Sequence, residues 1–124
     1  MYSEARRVLR RGAIFAVYDV LQGEGGDVLF PVPWASEPSI SHLVTPADTE
    51  SLLGAAGFAI RERRDSTEEG RTWFESVRAR VARSGPPPVT FQTFLGGDFP
   101  EMVRNQVRNL AERRIRTVSF ICEA

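Results

Sequence analysis

The feature that most constrains this fold is an apolar run, Ala13–Val20, which soon opens into a glycine-rich stretch, Gly23–Gly26. The run is rich in β-branched and aromatic residues, and its first polar side chain is Asp19. A near-continuous apolar run predicts a strand buried on both faces, as in the middle of an α/β sheet. Because ligands bind at the carboxyl ends of such strands, we expect any site to lie near the end of this one.

The size and composition predict a globular protein of a reducing compartment. The chain has 124 residues, of which 42% are hydrophobic and 26% charged, enough for the core of a single domain spanning 1–124. No apolar run is long enough to cross a bilayer, and the N-terminal residues lack the apolar stretch of a signal peptide. The single cysteine, Cys122, has no partner for an internal disulfide, so the expected location is cytoplasmic.

The charges indicate neither nucleic acid nor membrane as a partner. Sixteen basic residues balance sixteen acidic ones, so no net field draws the chain to a polyanion. Every basic residue is an arginine. The densest basic cluster lies in the first turns of the chain and is interpreted as a solvated helix face: Arg6, Arg7, Arg10 and Arg11.

The chain opens with a predicted helix over residues 3–11. Its buried face is expected at helical spacing: Ala5, Val8 and Leu9. Gly12 follows where helices commonly end, and arginines in the last turn complement the helix dipole.

A second helix is predicted after residue 44. Thr45 is the expected N-cap, with Pro46 at N1 and Asp48 at N3, and Gly57 ends the helix. Its buried stripe is expected to be Leu52, Leu53 and Ala56. Residues 58–64 then alternate apolar with polar before charge takes over, which predicts an edge strand.

The second half of the chain predicts two helices and a final strand. Ser66 or Thr67 caps a long helix that Gly85 ends. Its apolar face is expected to be Trp73, Phe74, Val77 and Val81. A triple proline, 86–88, breaks the chain, and 89–95 fits either a strand or a short helix.

The last helix is predicted to begin with a capping box formed by Asp98 and Glu101. Its inward face is expected to be Phe99, Val103, Val107 and Leu110. The chain closes with Thr117–Cys122, a second run apolar enough to form an interior strand.

Three segments resemble the C-terminal half of a class I S-adenosylmethionine-dependent methyltransferase. EARRVLRRGAIFAVYDV resembles the family's "helix, Leu-Arg-Pro-Gly-Gly, strand five" segment, with Arg11-Gly12-Ala13 where Pro-Gly-Gly is usual. LLGAAGFAIRERRD resembles the next helix and strand six, joined at Ala56-Gly57-Phe58. DFPEMVRNQVRNLAERRI with TVSFICEA resembles the last helix and strand seven. The loop FPVPWA and the helix RNQVRNL are similar to those of the small-molecule branch.

The resemblance implies an α/β, partial Rossmann-like methyltransferase fold. Its sheet would be a mixed three-stranded one in the order five-seven-six, with strand seven antiparallel and helices flanking it. Strand five would then lack its neighbour, strand four, which leaves an apolar edge and an uncovered sheet face. We therefore expect a homo-oligomer, a dimer formed through this edge, or pairing with a chain that carries the N-terminal half.

The resemblance also implies S-adenosylmethionine as the cofactor, although the family's cofactor motifs belong to the N-terminal half. Gly23-x-Gly25-Gly26 does not open a helix, so it indicates a surface turn rather than a nucleotide loop. One hypothesis is a methyltransferase-like domain that is inactive alone and acts on a small molecule once paired with its missing half. The alternatives are a non-catalytic dimerising remnant or interaction module, and a truncated enzyme.

Two residues are candidate catalytic groups. Asp19 ends the apolar strand and is a candidate general base or orienting carboxylate for an acceptor amine or hydroxyl, or else a cap of the following loop. His42 is the only histidine, and with no clustered ligands near it we expect no metal site. Tyr18 is a candidate substrate-binding residue whose ring is otherwise expected in the core.

Three further residues are candidate substrate-binding groups. Trp34 either lines an acceptor pocket, holding a cationic centre over its ring, or anchors the proline-rich loop. Asn105 and Asn109 lie one turn apart on the last helix and either bind an anionic acceptor or face solvent or an interface. Trp73, at helical spacing with Val77, is expected in the core.

Overall fold

A computed structural model describes residues 1–85 and 96–124. The predicted break at 86–88 and the ambiguous element at 89–95 lie outside the described residues. The described helices are α1 (Tyr2–Val8), α2 (Pro46–Ala55), α3 (Thr67–Ser84) and α4 (Phe99–Ala111), with a short 3₁₀ helix at Pro38–Ile40. The strands are β1 (Ile14–Gln22), β2 (Ala59–Asp65) and β3 (Ile115–Glu123).

The three strands form one sheet in the order β1-β3-β2. β3 pairs with β2 antiparallel, with Glu123 opposite Ala59. The N–H of Ala124, just past β3, donates to the C=O of Ala13, just before β1 (2.9 Å), so β3 also runs opposite to β1. This confirms the expected five-seven-six order, with β1, β3 and β2 as strands five, seven and six.

The described chain divides into two compact units. The first comprises Met1–Gln22, Leu43–Ser66 and Arg116–Ala124, and therefore holds α1, α2 and nearly all of the sheet. The second comprises Gly23–His42 and Thr67–Ile115, and holds the long loop after β1 together with α3 and α4.

The core of the first unit lies against one face of the sheet. Alternation along β3 turns Val118, Phe120 and Cys122 to the same side, and all three are fully buried. Phe15 of β1 stacks on Phe58, with ring centroids 4.9 Å apart. The fully or nearly buried members of this core are Leu21, Leu53, Phe58, Val118, Phe120 and Cys122.

The second unit is built on the packing of α3 against α4. Arg113, in the turn after α4, donates to the Glu68 carboxylate in the first turn of α3 (2.7 Å) and so ties the two helices together at one end. The buried apolar residues of this unit are Val32, Ala35, Met102, Val107, Leu110 and Ile115.

The predicted boundaries of α2 are confirmed by its caps. The Thr45 hydroxyl oxygen accepts the N–H of Asp48 (3.1 Å), and the Asp48 carboxylate accepts the N–H of Thr45 (3.4 Å), which forms a capping box. Gly57, just past the helix, has φ +96°, a backbone that favours glycine. These signals act over four residues or fewer, which is why the sequence reveals them.

The predicted buried faces of α1 and α2 are partly wrong. α1 ends at Val8 rather than at residue 11, because Leu9 is already extended (φ −89°, ψ 139°). Val8 is consequently 66% exposed, whereas Ala5 and Leu9 pack on the core as expected. In α2, Leu53 is fully buried but Leu52 is half exposed.

Two expectations for the later helices are also wrong. Asp98 makes no capping hydrogen bond, because its backbone is helical (φ −80°, ψ −3°) rather than extended, so its side chain does not turn back onto the first turn. Trp73 is 54% exposed rather than in the core. Its ring stands edge-on to that of Phe74, with centroids 4.8 Å apart.

β1 is the edge of this sheet and not an interior strand. Phe15 and Val17 pack on the core of the first unit, but Ile14 and Tyr18, on the opposite face, are 62% and 65% exposed. β1 thus lies at the edge where strand four was expected to be missing, and a partner at this edge stays a prediction. The expectation that the ring of Tyr18 lies in the core is wrong, because nothing among the described residues covers that face at this position.

Candidate functional site

Asp19 lies in the second half of β1 and is exposed. Its Oδ1 accepts the N–H of the next residue, Val20 (2.8 Å). Burial raises the pKa of the Tyr2 phenol above its ordinary 10.0, and the Asp19 carboxylate raises it further. The Asp19 carboxylate therefore acts on two groups of the first unit. It accepts a backbone hydrogen bond within β1, and it raises the pKa of the phenol at the start of α1.

The glycine-rich turn after β1 packs on the chain's own backbone. The N–H of Gly23 donates to the C=O of Arg114 (2.9 Å), and that of Gly25 donates to the C=O of Arg113 (2.8 Å). A Cβ at Gly23 would overlap the carbonyl oxygen of Arg113, and one at Gly25 would overlap that of Glu112. Glycine is required here because two stretches of main chain come close together. The turn is thus an ordered, packed element of the second unit.

Two asparagines of α4 hold the proline-rich loop. Asn109 is fully buried; its Oδ1 accepts the N–H of Leu29 (2.8 Å) and its Nδ2 donates to the C=O of the same residue (3.1 Å). One turn earlier, Asn105 Nδ2 donates to the C=O of Pro31 (3.0 Å). Both carboxamides therefore bind main chain of this loop.

The loop that follows is fixed by its own contacts. Val32 and Ala35 are buried and exchange two backbone hydrogen bonds (2.8 and 3.1 Å). Trp34, between them, is half-buried, and its indole N–H donates to the Ser41 hydroxyl oxygen (3.1 Å). His42, next to Ser41, is exposed.

The predicted site residues fall into two groups. Tyr18 and Asp19 belong to the first unit; Trp34, His42, Asn105 and Asn109 belong to the second. Within the second, the asparagines hold the loop that carries Trp34. Their catalytic and substrate-binding roles remain predictions.

Sequence reasoning missed one polar residue of α4. Gln106 is buried, and its Oε1 has no hydrogen-bond partner among the described residues. The available signal was its position one turn after the buried Met102 on the inward face of the helix.

The described residues contain neither a cluster of metal ligands nor a helix that could span a membrane. Across 1–85 and 96–124, no group of three or more His, Cys, Asp or Glu side chains comes together as a metal site. In the same ranges, no helix combines the length and the apolar character needed to cross a bilayer.

No protein-family model and no curated protein matches this chain. Solved structures, in contrast, match its fold. A protein of Galdieria sulphuraria assigned as a sarcosine dimethylglycine methyltransferase superposes with a TM-score of 0.75 at 12% identity, over 98% of this chain and 45% of that one. Phosphoethanolamine N-methyltransferase 2 of Haemonchus contortus gives 0.71 at 15% identity, over 98% and 29%. A cyclopropane synthase of Mycobacterium tuberculosis gives 0.64 at 10% identity, over 99% and 48%.

At these identities the likeness shows the fold, and the chain spans less than half the length of these three proteins. The Haemonchus structure holds phosphomonomethylethanolamine and S-adenosylhomocysteine. Another structure of the same fold, with a TM-score of 0.61, is a [4+2]-cyclase. One fold therefore serves more than one chemistry. What the comparisons establish is that this chain has the α/β fold of the C-terminal half of a class I methyltransferase.

Proposed function

We propose that this chain is the acceptor-side half of an S-adenosylmethionine-dependent methyltransferase of the cytoplasm. It would be inactive alone and would act on a small molecule once paired with the half that binds the cofactor. The observation that carries the proposal is the superposition on the Galdieria protein, which includes 98% of this chain but only 45% of the longer one.

The glycine-rich turn after β1 does not fit the cofactor. A cofactor-binding glycine turn needs open space beside its glycines, so that backbone N–H groups reach the ligand. At Gly23 and Gly25 that space holds the carbonyls of Arg113 and Glu112, and both N–H groups already donate to main chain. S-adenosylmethionine would therefore bind to the other half.

In the first unit, the proposed contribution to catalysis comes from Asp19. Its carboxylate is exposed, and only one of its oxygens is engaged by the Val20 N–H. An exposed carboxylate can orient an acceptor amine or hydroxyl and take up its proton. Tyr18 precedes Asp19 in β1, and its exposed ring lies on the opposite face of the strand, so its proposed contact with an acceptor is separate from that of the Asp19 carboxylate.

In the second unit, the proposed acceptor-binding element is the loop that carries Trp34. A half-buried indole ring with its N–H held by Ser41 can offer its face to a cationic centre. We propose that Asn105 and Asn109 are positioning residues. Their carboxamides bind main chain of the loop and so fix the loop that carries Trp34. His42 is the second proposed catalytic group, and its imidazole is exposed.

The test uses the two tryptophans as paired reporters. The ¹⁵N-labelled chain is titrated separately with sarcosine, phosphomonomethylethanolamine and S-adenosylmethionine, and the two indole N–H resonances are followed. The proposal predicts that an acceptor shifts the Trp34 resonance in a saturable way while Trp73, on α3, serves as the unshifted control. Acceptors that move neither resonance, or both equally, would contradict it.

A second candidate function is a non-catalytic dimerising module. The observation that favours it is the exposure of Ile14 and Tyr18 on the edge strand β1, since monomeric proteins seldom leave such an edge bare. A dimer that responds to none of the three titrants would support this candidate.

A further inference from the structure

We propose that the open edge of β1 binds β1 of a second copy, in an antiparallel two-fold register centred on Ala16. The result would be a continuous six-stranded sheet across the dimer. This inference concerns the chain by itself and rests on the backbone of β1 and on the side chains of its exposed face. A half that supplied strand four would take the same edge, so the dimer and the paired enzyme are alternative states.

Backbone geometry identifies which residues face the open edge. In a strand, the N–H and C=O of one residue point to the same side, and the side alternates along the chain. Ala13 and Gly23 bond toward β3, through Ala124 and Arg114 respectively. The residues between them at even positions therefore turn their N–H and C=O away from β3.

The far end of this edge already has partners. The Val20 N–H donates to Asp19 Oδ1 (2.8 Å), and the Gln22 N–H donates to the C=O of Val44 (2.8 Å). The outward positions that remain within β1 are Ile14, Ala16 and Tyr18. They are symmetric about Ala16, which is the arrangement that an isologous contact between two copies requires.

The side chains fit the same register. Ile14 comes opposite the partner's Tyr18, and Ala16 comes opposite the partner's Ala16, so the exposed apolar residues of both copies form one band. An aromatic residue opposite a β-branched one is a favourable cross-strand pair, contributing roughly 0.2–1 kcal/mol. The small Ala16 leaves room at the two-fold axis.

Charge is complementary at both ends of the pairing. In this register Asp19 comes opposite the partner's Ala13, two positions from the partner's Arg11. Arg11 lies in the turn before β1, outside the paired strand, so each end of the contact brings one carboxylate toward the turn that carries one guanidinium. A parallel arrangement would instead place like charges together.

The other edge of the sheet is protected, which makes the choice of β1 specific. β2 has the sequence AIRERRD, and five of its seven residues are charged and exposed. Charged side chains along an edge oppose pairing with another strand. β1 offers only Asp19 among the charges of its nine residues.

Cysteine cross-linking tests both the dimer and its register. Residues of a hydrogen-bonded antiparallel pair have Cα atoms about 5.5 Å apart, within the range that a disulfide spans. Ala16→Cys is therefore expected to form a disulfide-linked dimer under mild oxidation. Tyr18→Cys is the matched control: its own copy would lie four residues further along, about 14 Å away at the usual strand rise. The native Cys122 is fully buried and is present in both variants.

A second experiment measures the mass in solution without cross-linking. Light scattering on the unmodified chain is expected to give twice the 13.9 kDa of one chain. Tyr18→Lys should shift the mass to that of a monomer, since it places a charge in the apolar band. Val8→Lys is the control, because Val8 is equally exposed (66% against 65%) but lies on α1.

The outcomes separate this inference from the proposed function. A monomeric unmodified chain would overturn it, as would disulfide formation at Tyr18→Cys that equals or exceeds that at Ala16→Cys. An equal loss of the dimer in Val8→Lys and Tyr18→Lys would also overturn it. Absence of any acceptor binding, by contrast, would sink the proposed function and leave the dimer unaffected.

Discussion

Asn109 on α4 binds both main-chain polar groups of Leu29, a residue 80 positions earlier in the chain: Oδ1 accepts its N–H at 2.8 Å and Nδ2 donates to its C=O at 3.1 Å. One carboxamide thus satisfies both backbone hydrogen-bonding groups of this residue, as a residue on a neighbouring β-strand would. Because Asn109 is fully buried, no water can replace it at low cost.

Asn109→Leu is expected to destabilise the protein by about 2–3 kcal/mol, since it leaves the partly buried N–H and C=O of Leu29 without their partner. Urea denaturation followed by circular dichroism measures the loss. Asn105→Leu is the matched control on the same helix; it removes one bond, to Pro31, and should cost about 1 kcal/mol. Equal losses in the two variants would contradict the account of Asn109.

Alanine variants of three glycines, two in the turn after β1 and one in α2, are expected to differ in their stability to urea. Gly23→Ala and Gly25→Ala should each unfold at clearly lower urea concentration, because the added Cβ meets a backbone carbonyl that has little room to move. Gly54→Ala, inside α2 with nothing within 4 Å of the new Cβ, should be stabilised by about 0.5–1 kcal/mol. If Gly25→Ala unfolded at the same urea concentration as the unmodified chain, the close approach of the turn to the Glu112 carbonyl would be contradicted.

The phenol of Tyr2 predicts a loss of stability at alkaline pH. Its pKa is raised in the folded protein, first by burial and then by Asp19, so folding favours the protonated form. The corresponding stability is fully present below the unfolded pKa of about 10 and is lost as the pH rises through the folded value. Tyr2→Phe should flatten this dependence in denaturation curves.

The contributions of burial and of Asp19 to the raised pKa of Tyr2 can be measured separately. The chain has two tyrosines, so in Tyr18→Phe the tyrosinate absorbance near 295 nm reports Tyr2 alone. Adding Asp19→Asn should lower the pKa of Tyr2 while leaving it above 10.0, because burial is the larger cause. A pKa that falls to 10.0 or below would show that the carboxylate dominates.

Cys122 predicts a reactivity that reports unfolding. Its side chain is fully buried in β3, and burial raises the pKa of the thiol above 9.0, so little thiolate is exposed to a reagent in the native state. A chromogenic disulfide reagent should therefore react slowly with the folded protein and rapidly in denaturant. Rapid labelling of the folded chain at neutral pH would contradict the packing of β3.

Much of the fold was predictable because its signals are local. The cap formed by Thr45 and Asp48 and the stop at Gly57 depend on residues within one or two turns of each other. The buried sides of the helices were less predictable, since both Leu52 and Leu53 are apolar and only the packing partner decides between them. Asp98 shows a further limit: its spacing to Glu101 fits a capping box, but its helical backbone prevents the bond.

The candidate site was less accessible to sequence reasoning because its determinants are distant in the chain. Gly23-x-Gly25-Gly26 does not reveal whether the close neighbour is a ligand or the protein's own backbone, and the turn at Glu112–Arg114 decides it. Asn109 was predicted to bind a ligand, and only the structure shows that its carboxamide binds the main chain of Leu29, 80 positions earlier.

The measurement that tests the central claim most directly is a calorimetric titration of the 124-residue chain with S-adenosylmethionine, with the molecular mass taken by light scattering on the same sample. The account predicts no saturable heat, because we propose that these residues are the acceptor side of the enzyme and because the glycine turn after β1 is filled by the chain's own backbone. Saturable binding with a defined stoichiometry would contradict it, since the cofactor site would then lie within this chain or its dimer.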